Sequence, residues 1–258
     1  MKLLKIRNLI VNWLKKYSEE NSKKNLVVGI SGGIDSALTS TLCAMTGLKI
    51  SVLSMPIHQK KDELDNANKH AKWLSELYPN TENITIDLTS FFEAYKESIP
   101  VKFHSNLGLA NSKARIRMMT LYQVATKQNG LVVGTGNKVE DFGIGFFTKH
   151  GDGGVDISPI GDLNKSEVKK LAEFCGIIKE ILDAPPTDGL WEDGRTDEKQ
   201  IGATYEELEW AMNYNGKKEL TKRKKEVLEI YNKLTDKNQH KMSPIPVCII
   251  PNELYTKL

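Results

Sequence analysis

Short apolar runs alternate along this chain with segments of helical periodicity, and this alternation constrains the fold more than any other feature. The runs, rich in β-branched residues, cover 25–30, 49–55, 83–88 and 131–136. The segments predicted as helices are 2–20, 35–47, 62–78, 89–97, 107–128, 165–175, 204–213 and 218–235. Buried strands that alternate with helices are typical of a parallel sheet. We predict an α/β fold with a doubly wound, mostly parallel sheet, helices on both faces and a single domain over residues 1–258.

The composition excludes several classes of function. The net charge of +3 is too small to imply a nucleic-acid or membrane surface as a partner. The three cysteines, Cys43, Cys175 and Cys248, lack the spacing of a zinc site and indicate a reducing compartment. The sequence shows neither a signal peptide nor an apolar run long enough to cross a bilayer. We therefore expect a cytoplasmic protein.

The first apolar run stops on two adjacent glycines, and an acid then opens the next helix, in the string VVGISGGIDSA at 27–37. The glycines allow a tight turn and a close approach of a ligand to the backbone. A helix start offers free N–H groups and a positive dipole end, which favour an anion. Asp35 would repel a phosphate unless a divalent cation lay between them, and Mg²⁺ prefers carboxylate and phosphate oxygens. The pattern favours a phosphate-binding loop with magnesium over a plain strand–turn–helix junction.

This string resembles the SGGxDS loop of the ATP pyrophosphatase superfamily, which has an adenine nucleotide α-hydrolase-like fold. Members cleave ATP between the α and β phosphates, and the loop holds the departing pyrophosphate. The resemblance implies ATP contacts along the whole loop, at Gly29, Ile30, Ser31, Gly32, Gly33, Ile34, Asp35 and Ser36. The loop implies the half-reaction but leaves the substrate open.

Two further segments are similar to those of NAD synthetases, namely NSKARIRMMTLY at 111–122 and VVGTGNKVEDFGIGFFTKHGDGGVDISPIGDLNK at 132–165. The resemblance implies a role for each of several residues. It assigns ATP contacts to Thr135 and Lys165, the second magnesium carboxylate to Glu140, and deamido-NAD contacts to Arg115, Lys149 and Asp156. An additional residue between Glu140 and Gly145 leaves Asp141 as an alternative metal ligand. Basic residues on a solvated helix face are the alternative for Arg115.

The resemblance continues toward the end of the chain. In APPTDGLWEDGRTDEKQIGATYEELE at 184–209 it implies an ATP contact at Thr187, within a loop that could close over the substrate. In QHKMSPIP at 239–246 it implies deamido-NAD contacts at His240 and Lys241. The segment after the second apolar run, MPIHQKKDELDNA, matches the family poorly, and no contact with the adenine base is predicted there.

Taken together, these segments imply an ammonia-dependent NAD synthetase. ATP would adenylate the carboxylate of deamido-NAD, and ammonia would then displace AMP to give NAD. The predicted catalytic residues are Asp35, Lys149 and Asp152, the last as a carboxylate that accepts N–H bonds from ammonia. Family members that use glutamine carry an additional amidase domain, for which 258 residues leave no room.

The resemblance further implies magnesium as cofactor and a homodimer. Its alternatives are another adenylating ligase of the superfamily, GMP synthetase-like or tRNA-modifying, or a non-catalytic nucleotide-binding module.

Overall fold

The computed structural model describes residues 2–186, 196–216 and 219–255, which form a parallel four-stranded sheet flanked by helices. The strands are β1 (Asn25–Ile30), β2 (Lys49–Ser54), β3 (Thr81–Thr85) and β4 (Gly130–Val132). The helices are α1 (Leu3–Glu20), α2 (Ile34–Ala44), α3 (Lys61–Leu77), α4 (Thr89–Ser98), α5 (Asn106–Gln128), α6 (Lys165–Phe174), α7 (Lys179–Leu182), α8 (Asp197–Ile201), α9 (Tyr205–Met212) and α10 (Lys222–Met242). A π-helix covers Lys138–Ile144, and short 3₁₀ helices cover Val101–Phe103 and Asn252–Leu254.

The strands lie in the order β3-β2-β1-β4, and each neighbouring pair is parallel. In this register Val28 lies opposite Val52, and Leu26 lies opposite Leu131. The strand order reverses beside β1, since β2 and β3 lie on one side of it and β4 on the other. In an open parallel sheet this reversal opens a crevice at the carboxyl ends of the two strands, where ligands bind. The loops that follow β1 and β4 are therefore placed to form a site.

Alternate residues of β1 enter two separate cores. Leu26 and Val28 are fully buried in a core formed with α1, α2, α3, α6 and α7. Val27 is buried in a second core, formed with α4 and α5 on the opposite face. This period of two is the one expected of a strand covered on both faces. The predicted doubly wound sheet with helices on both faces is confirmed.

A third core lies beside the sheet and joins the π-helix to α8, α9 and α10. Val139 and Ile144 of the π-helix are buried there with Leu208 of α9 and Val227 of α10. The sequence showed no clear period between Asn137 and Ser158, so this π-helix was not predicted. Its packing matters for the site, because it fixes the direction in which Glu140 points.

Several predicted elements differ from the structure. β3 covers Thr81–Thr85, whereas the apolar run predicts a strand over 83–88. β4 ends at Val132, whereas the apolar run predicts a strand to 136. Beyond Val132, the Val133 amide still donates to the Val27 carbonyl of β1 at 2.9 Å, and Val133 forms an isolated bridge with Ile157 before the chain leaves the sheet. The last helix, predicted over 218–235, begins at Lys222 and continues to Met242. Its final turns are polar all round, so apolar periodicity could not reveal them.

The longest helices, α1, α5 and α10, all carry charged side chains along their length. Among the residues that the structure describes, no helix is both long and apolar enough to cross a membrane.

Candidate active site

The glycine loop between β1 and α2 is closely packed against α3. Gly32 has φ +85°, a left-handed conformation that side-chain-bearing residues rarely adopt. A Cβ at this position would lie 2.4 Å from the main-chain oxygen of Glu63. The structure therefore requires glycine at position 32 for conformation and for space.

The hydroxyls of the loop hold its shape. Ser36 Oγ accepts a hydrogen bond from the Ser31 amide at 3.2 Å and donates one to the Gly33 carbonyl at 3.0 Å. Ser31 Oγ accepts from the Gly33 amide at 3.2 Å. Gly33 is the N-cap of α2, and within the described part of the chain no side chain caps this helix. The first amides of α2 are thus free of a side-chain acceptor, as an anion-binding helix start requires.

One lysine connects the two predicted metal carboxylates. Lys165 Nζ lies 2.5 Å from Asp35 Oδ2 and 2.9 Å from Glu140 Oε1. The side chains of Lys165, Asp35 and Glu140 are only 13%, 17% and 15% exposed. Asp35 follows β1, Glu140 follows β4, and Lys165 is the first residue of α6. The structure thus brings together three predicted residues from the first turns of three helices, at the switch point of the sheet.

Asn137 and Tyr205 support this group, and neither was assigned a role from the sequence. Asn137 is fully buried, donates from Nδ2 to Asp35 Oδ1 at 3.3 Å and accepts at Oδ1 from the Glu140 amide at 3.1 Å. Tyr205 donates its hydroxyl proton to Glu140 Oε1 at 2.5 Å, and its ring centroid lies 4.8 Å from Lys165 Nζ. These contacts fix the direction of both carboxylates.

The sequence carried a signal for Asn137. It stands three residues before Glu140, the spacing at which an N-cap side chain meets the amide of a helix's first turn. Tyr205 directly follows the capping residue Thr204, but nothing local indicates that its hydroxyl reaches Glu140.

Lys165 is held between two carboxylates whose pKa values shift in opposite directions. Burial raises the pKa of Asp35 more than Lys165 lowers it, and the nearby Glu140 raises it further. Burial favours neutral Lys165, but Asp35 and Glu140 outweigh it and raise the lysine pKa, so the ammonium stays charged. Burial likewise opposes ionisation of Glu140, yet Lys165 and the Tyr205 hydrogen bond lower its pKa. Burial, Glu140 and Asp197 raise the pKa of Tyr205, which keeps its hydroxyl protonated as a donor.

The donor set fits a hard divalent cation that also has phosphate ligands. Asp35 and Glu140 present oxygens to a single cation position, that of Lys165 Nζ. Within the described residues, no group of three or more His, Cys, Asp or Glu side chains could hold a metal. Two carboxylates alone leave most of the octahedral positions of Mg²⁺ to water and substrate phosphates, which is its usual coordination.

Glu140 and Asp141, the two alternatives for the second metal ligand, have different surroundings. Only Glu140 shares the lysine with Asp35. The Asp141 carboxylate instead lies against Gly136, in space that a Cβ at that glycine would need. Burial and the nearby Glu140 raise the pKa of Asp141, which favours its protonated form.

The predicted deamido-NAD residues Arg115, Lys149, His240 and Lys241 lie together, and we call them the acceptor cluster. Arg115 Nε donates to the Lys149 carbonyl at 3.2 Å, and Lys149 Nζ donates to the His240 carbonyl at 2.5 Å. Lys241 Nζ donates to the Phe147 carbonyl at 2.7 Å and lies 5.0 Å from the centroid of its ring. Cations and an aromatic ring thus converge from α5, the 146–150 loop and the end of α10.

The other predicted residues have different surroundings. Asp152 is exposed and accepts at Oδ1 from the Thr148 amide at 3.0 Å. Asp156 accepts from the Tyr122 hydroxyl at 3.0 Å and from the Val132 amide at 2.8 Å, so its carboxylate anchors the end of β4. Thr135 lies in the segment between β4 and the π-helix. Thr187 lies outside the described residues.

Comparisons with known proteins match nearly the whole chain. A family model described as NAD synthase matches residues 6–245. The NH(3)-dependent NAD(+) synthetase of Methanocaldococcus jannaschii is 39% identical over 250 residues, which cover 93% of this chain and 95% of that protein.

Two solved structures are also similar. The NMN synthetase of Francisella tularensis has a TM-score of 0.86 at 33% identity and covers 98% of this chain and 99% of its own. An NH3-dependent NAD synthetase from Campylobacter jejuni has a TM-score of 0.79 at 27% identity, with coverages of 96% and 100%.

Proposed function

Because the chain belongs to the NAD synthase family, we propose that it converts deamido-NAD to NAD with ATP and ammonia. A carboxylate is a poor electrophile because its leaving group would be oxide. ATP supplies a better leaving group, AMP, since attack of the nicotinate carboxylate on the α-phosphorus gives an acyl-adenylate and pyrophosphate. Ammonia then attacks the acyl carbon and releases AMP. The enzyme is a ligase, and no covalent bond to the protein is needed.

The observation that carries this proposal is the position of Asp35 and Glu140. Both carboxylates contact one buried cation, Lys165, beside a helix start whose N-cap, Gly33, has no side chain. Magnesium held by Asp35 and Glu140 would neutralise charge on the phosphates. The α2 amides and the hydroxyls of Ser31 and Ser36 would bind the pyrophosphate oxygens. Lys165 would stabilise the charge that grows on the leaving group.

The acceptor cluster would orient the second substrate. Arg115 and Lys241 supply positive charge for the phosphates of deamido-NAD, and Lys149 lies between them in the 146–150 loop. Holding the nicotinate carboxylate against the α-phosphorus makes the first step effectively unimolecular. Asp152, an exposed residue just after this loop, would accept N–H bonds from the incoming ammonia. Thr135, Asp156 and Thr187 remain proposed substrate contacts.

Exposed apolar side chains support assembly as a homodimer. The region from α4 to α5 exposes large apolar residues, namely Phe91, Val101, Phe103, Leu107 and Met119. Exposed apolar patches on a folded chain mark interaction sites. Sedimentation equilibrium should give a dimer that Phe103→Glu with Leu107→Glu converts to a monomer, whereas Leu9→Glu on α1 should leave it dimeric. A wild-type monomer would contradict the assignment.

The activity test combines purified protein with ATP, MgCl₂, ammonium chloride and deamido-NAD. We expect NAD, AMP and pyrophosphate in equal amounts, with no AMP when deamido-NAD is left out. Asp35→Asn should abolish pyrophosphate release without changing the circular dichroism spectrum, whereas Asp62→Asn, at the exposed start of α3, should be fully active. Turnover by Asp35→Asn would refute the metal assignment.

The similarity to an NMN synthetase favours a second acceptor, the deamido mononucleotide, which carries the same nicotinate carboxylate. The same assay with each acceptor in turn decides between them through kcat/KM. A higher value for the mononucleotide would make this chain an NMN-forming enzyme with the same adenylation chemistry.

A further inference from the structure

Lys165 occupies the cation position between the two proposed metal ligands. Its Nζ is within hydrogen-bond distance of both Asp35 and Glu140, and all three side chains are largely buried. Yet the proposed function needs magnesium on these carboxylates and Lys165 on the phosphates. An ammonium and a divalent cation cannot share one position between two carboxylates, because like charges at such a distance repel strongly.

We propose that Lys165 and magnesium exchange at the Asp35–Glu140 pair, so that the metal enters only with the nucleotide whose phosphates take up the ammonium. The proposal rests on the proposed function for the identity of the metal ligands. The binding of magnesium to the Asp35–Glu140 pair would then depend on bound ATP, which the proposed function alone does not require.

The charges support this coupling. Without nucleotide, the lysine already neutralises one of the two negative charges, so free magnesium must compete with an ammonium that the chain itself supplies. Because the lysine is tethered, its local concentration does not fall on dilution. Phosphates bound at the start of α2, adjacent to Asp35, would give Lys165 new negatively charged partners in place of the carboxylates. The carboxylate pair would then be available to the metal.

The local structure allows the exchange without backbone motion. Lys165 is the first residue of α6, whose start is held by a hydrogen bond from the Asn164 amide to Glu167 Oε2 at 3.0 Å. A lysine has a flexible four-carbon stem, so its ammonium can move while its Cα stays in place. The face of Tyr205, 4.8 Å from Nζ, keeps the ammonium at this end of the site.

The experiment measures magnesium binding without nucleotide. The full chain is titrated with MgCl₂ at constant ionic strength and pH 8, and Tm is followed by differential scanning fluorimetry. The variants are Lys165→Met and, as control, Lys138→Met, which removes a half-buried lysine paired with Asp162 at 2.8 Å. We expect an apparent Kd for Mg²⁺ about tenfold lower in Lys165→Met than in wild type and Lys138→Met.

The possible outcomes separate the exchange from the metal assignment. A Lys165→Met protein that binds Mg²⁺ no better than wild type overturns the exchange and leaves the proposed function intact. A gain that persists in the double variant Lys165→Met, Asp35→Asn places the metal elsewhere and contradicts the assignment of Asp35 as a metal ligand in the proposed function.

If Lys165→Met does not fold, the exchange is tested on the wild-type protein. Paramagnetic resonance of Mn²⁺ should then show free ion with protein alone and bound ion after a non-hydrolysable ATP analogue is added. Equal Mn²⁺ binding with and without the analogue, after correction for metal on free analogue, overturns the exchange.

Discussion

The Tyr205 hydroxyl lies 2.5 Å from Glu140 Oε1, although 65 residues separate the two in the sequence. The same hydroxyl lies 3.2 Å from Asp197 Oδ2, in α8. Tyr205 thereby connects the helices that follow the 187–195 segment to a carboxylate proposed to hold magnesium. Its ring packs in the core shared with α10, so the position of the hydroxyl is well fixed.

Tyr205→Phe should lower kcat by about 10- to 100-fold, since a hydrogen bond to a charged group contributes about 1.5–3 kcal/mol. The ring stays, so core packing and the contact with Lys165 are kept. Because the lost contact orients Glu140, the Mg²⁺ concentration for half-maximal rate should rise as well. Steady-state assays at varied MgCl₂ measure both effects.

The matched control is Tyr231→Phe, which changes a half-buried tyrosine of the same core. It should leave the Mg²⁺ requirement unchanged. If Tyr205→Phe loses stability but keeps the wild-type Mg²⁺ requirement, Tyr205 is structural and does not position Glu140.

Arg115 and Arg117 stand two residues apart on α5, and we expect opposite phenotypes from them. Arg117 donates to the Met55 carbonyl and to Gln59 Oε1, both at 2.9 Å, so it holds the loop after β2. Arg117→Gln should lower Tm by ~4–8 °C, for a loss of ~2 kcal/mol. Arg115 is exposed in the acceptor cluster, and Arg115→Gln should raise KM for deamido-NAD about tenfold at unchanged Tm.

Thermal denaturation and KM measurements on the same two proteins separate these effects. If Arg115→Gln changes KM for ATP instead, the acceptor cluster belongs to the nucleotide site.

Gly32 and Gly33 are adjacent, but of the two positions the structure requires glycine only at 32. A Cβ on Gly32 would meet the backbone of α3, whereas one on Gly33 would meet only Ser31 Oγ, at 3.3 Å. Gly32→Ala should cost about 1–3 kcal/mol of stability and abolish pyrophosphate release, because the loop must shift. Gly33→Ala should stay near wild-type stability. Urea denaturation and a pyrophosphate assay test both, and equal losses in the two variants would contradict this account.

His70 makes folding sensitive to acid. It is almost fully buried, with Nε2 2.8 Å from Ser40 Oγ and no hydrogen-bond partner at Nδ1. Burial lowers its pKa to about 4, below the ordinary 6.5, so the unfolded chain binds this proton more readily. Stability should therefore fall by about 3 kcal/mol as pH drops from 6.5 to about 4, and no further below that.

His70→Gln should flatten this part of the pH profile, measured as urea midpoints between pH 4 and 7. The control is His150→Asn, at an exposed histidine with φ +63°, a conformation that asparagine tolerates. A His70→Gln profile as steep as that of wild type would assign the acid sensitivity to other groups.

Much of the fold was predictable because its signals are local. The apolar runs placed the strands, and β1 in particular agrees with its predicted range. The π-helix was not predictable, because its apolar residues follow neither the helical nor the strand period. The last turns of α10 were not predictable, because they have no apolar face. His240 and Lys241 therefore lie on a helix, where the polar composition suggested a tail.

The candidate site was likewise predictable only in part. Asp35, Glu140 and Lys165 were predicted as separate residues, and the structure shows that they form one group. Asp156 was predicted to contact a substrate, a role that remains a proposal, while in the structure it also bonds to Tyr122 and to β4.

The sequence by itself determined the alternation of strands and helices, the glycine turn at Gly32 and the residue types available for phosphate and metal chemistry. These follow from periodicity and backbone preference, which act over a few neighbouring residues. Only the tertiary structure decided that Lys165 stands between Asp35 and Glu140, that Tyr205 reaches Glu140, and that Asp141 does not share this lysine. Such pairings depend on where distant segments meet, and the strand order β3-β2-β1-β4 brings the loops after β1 and β4 together.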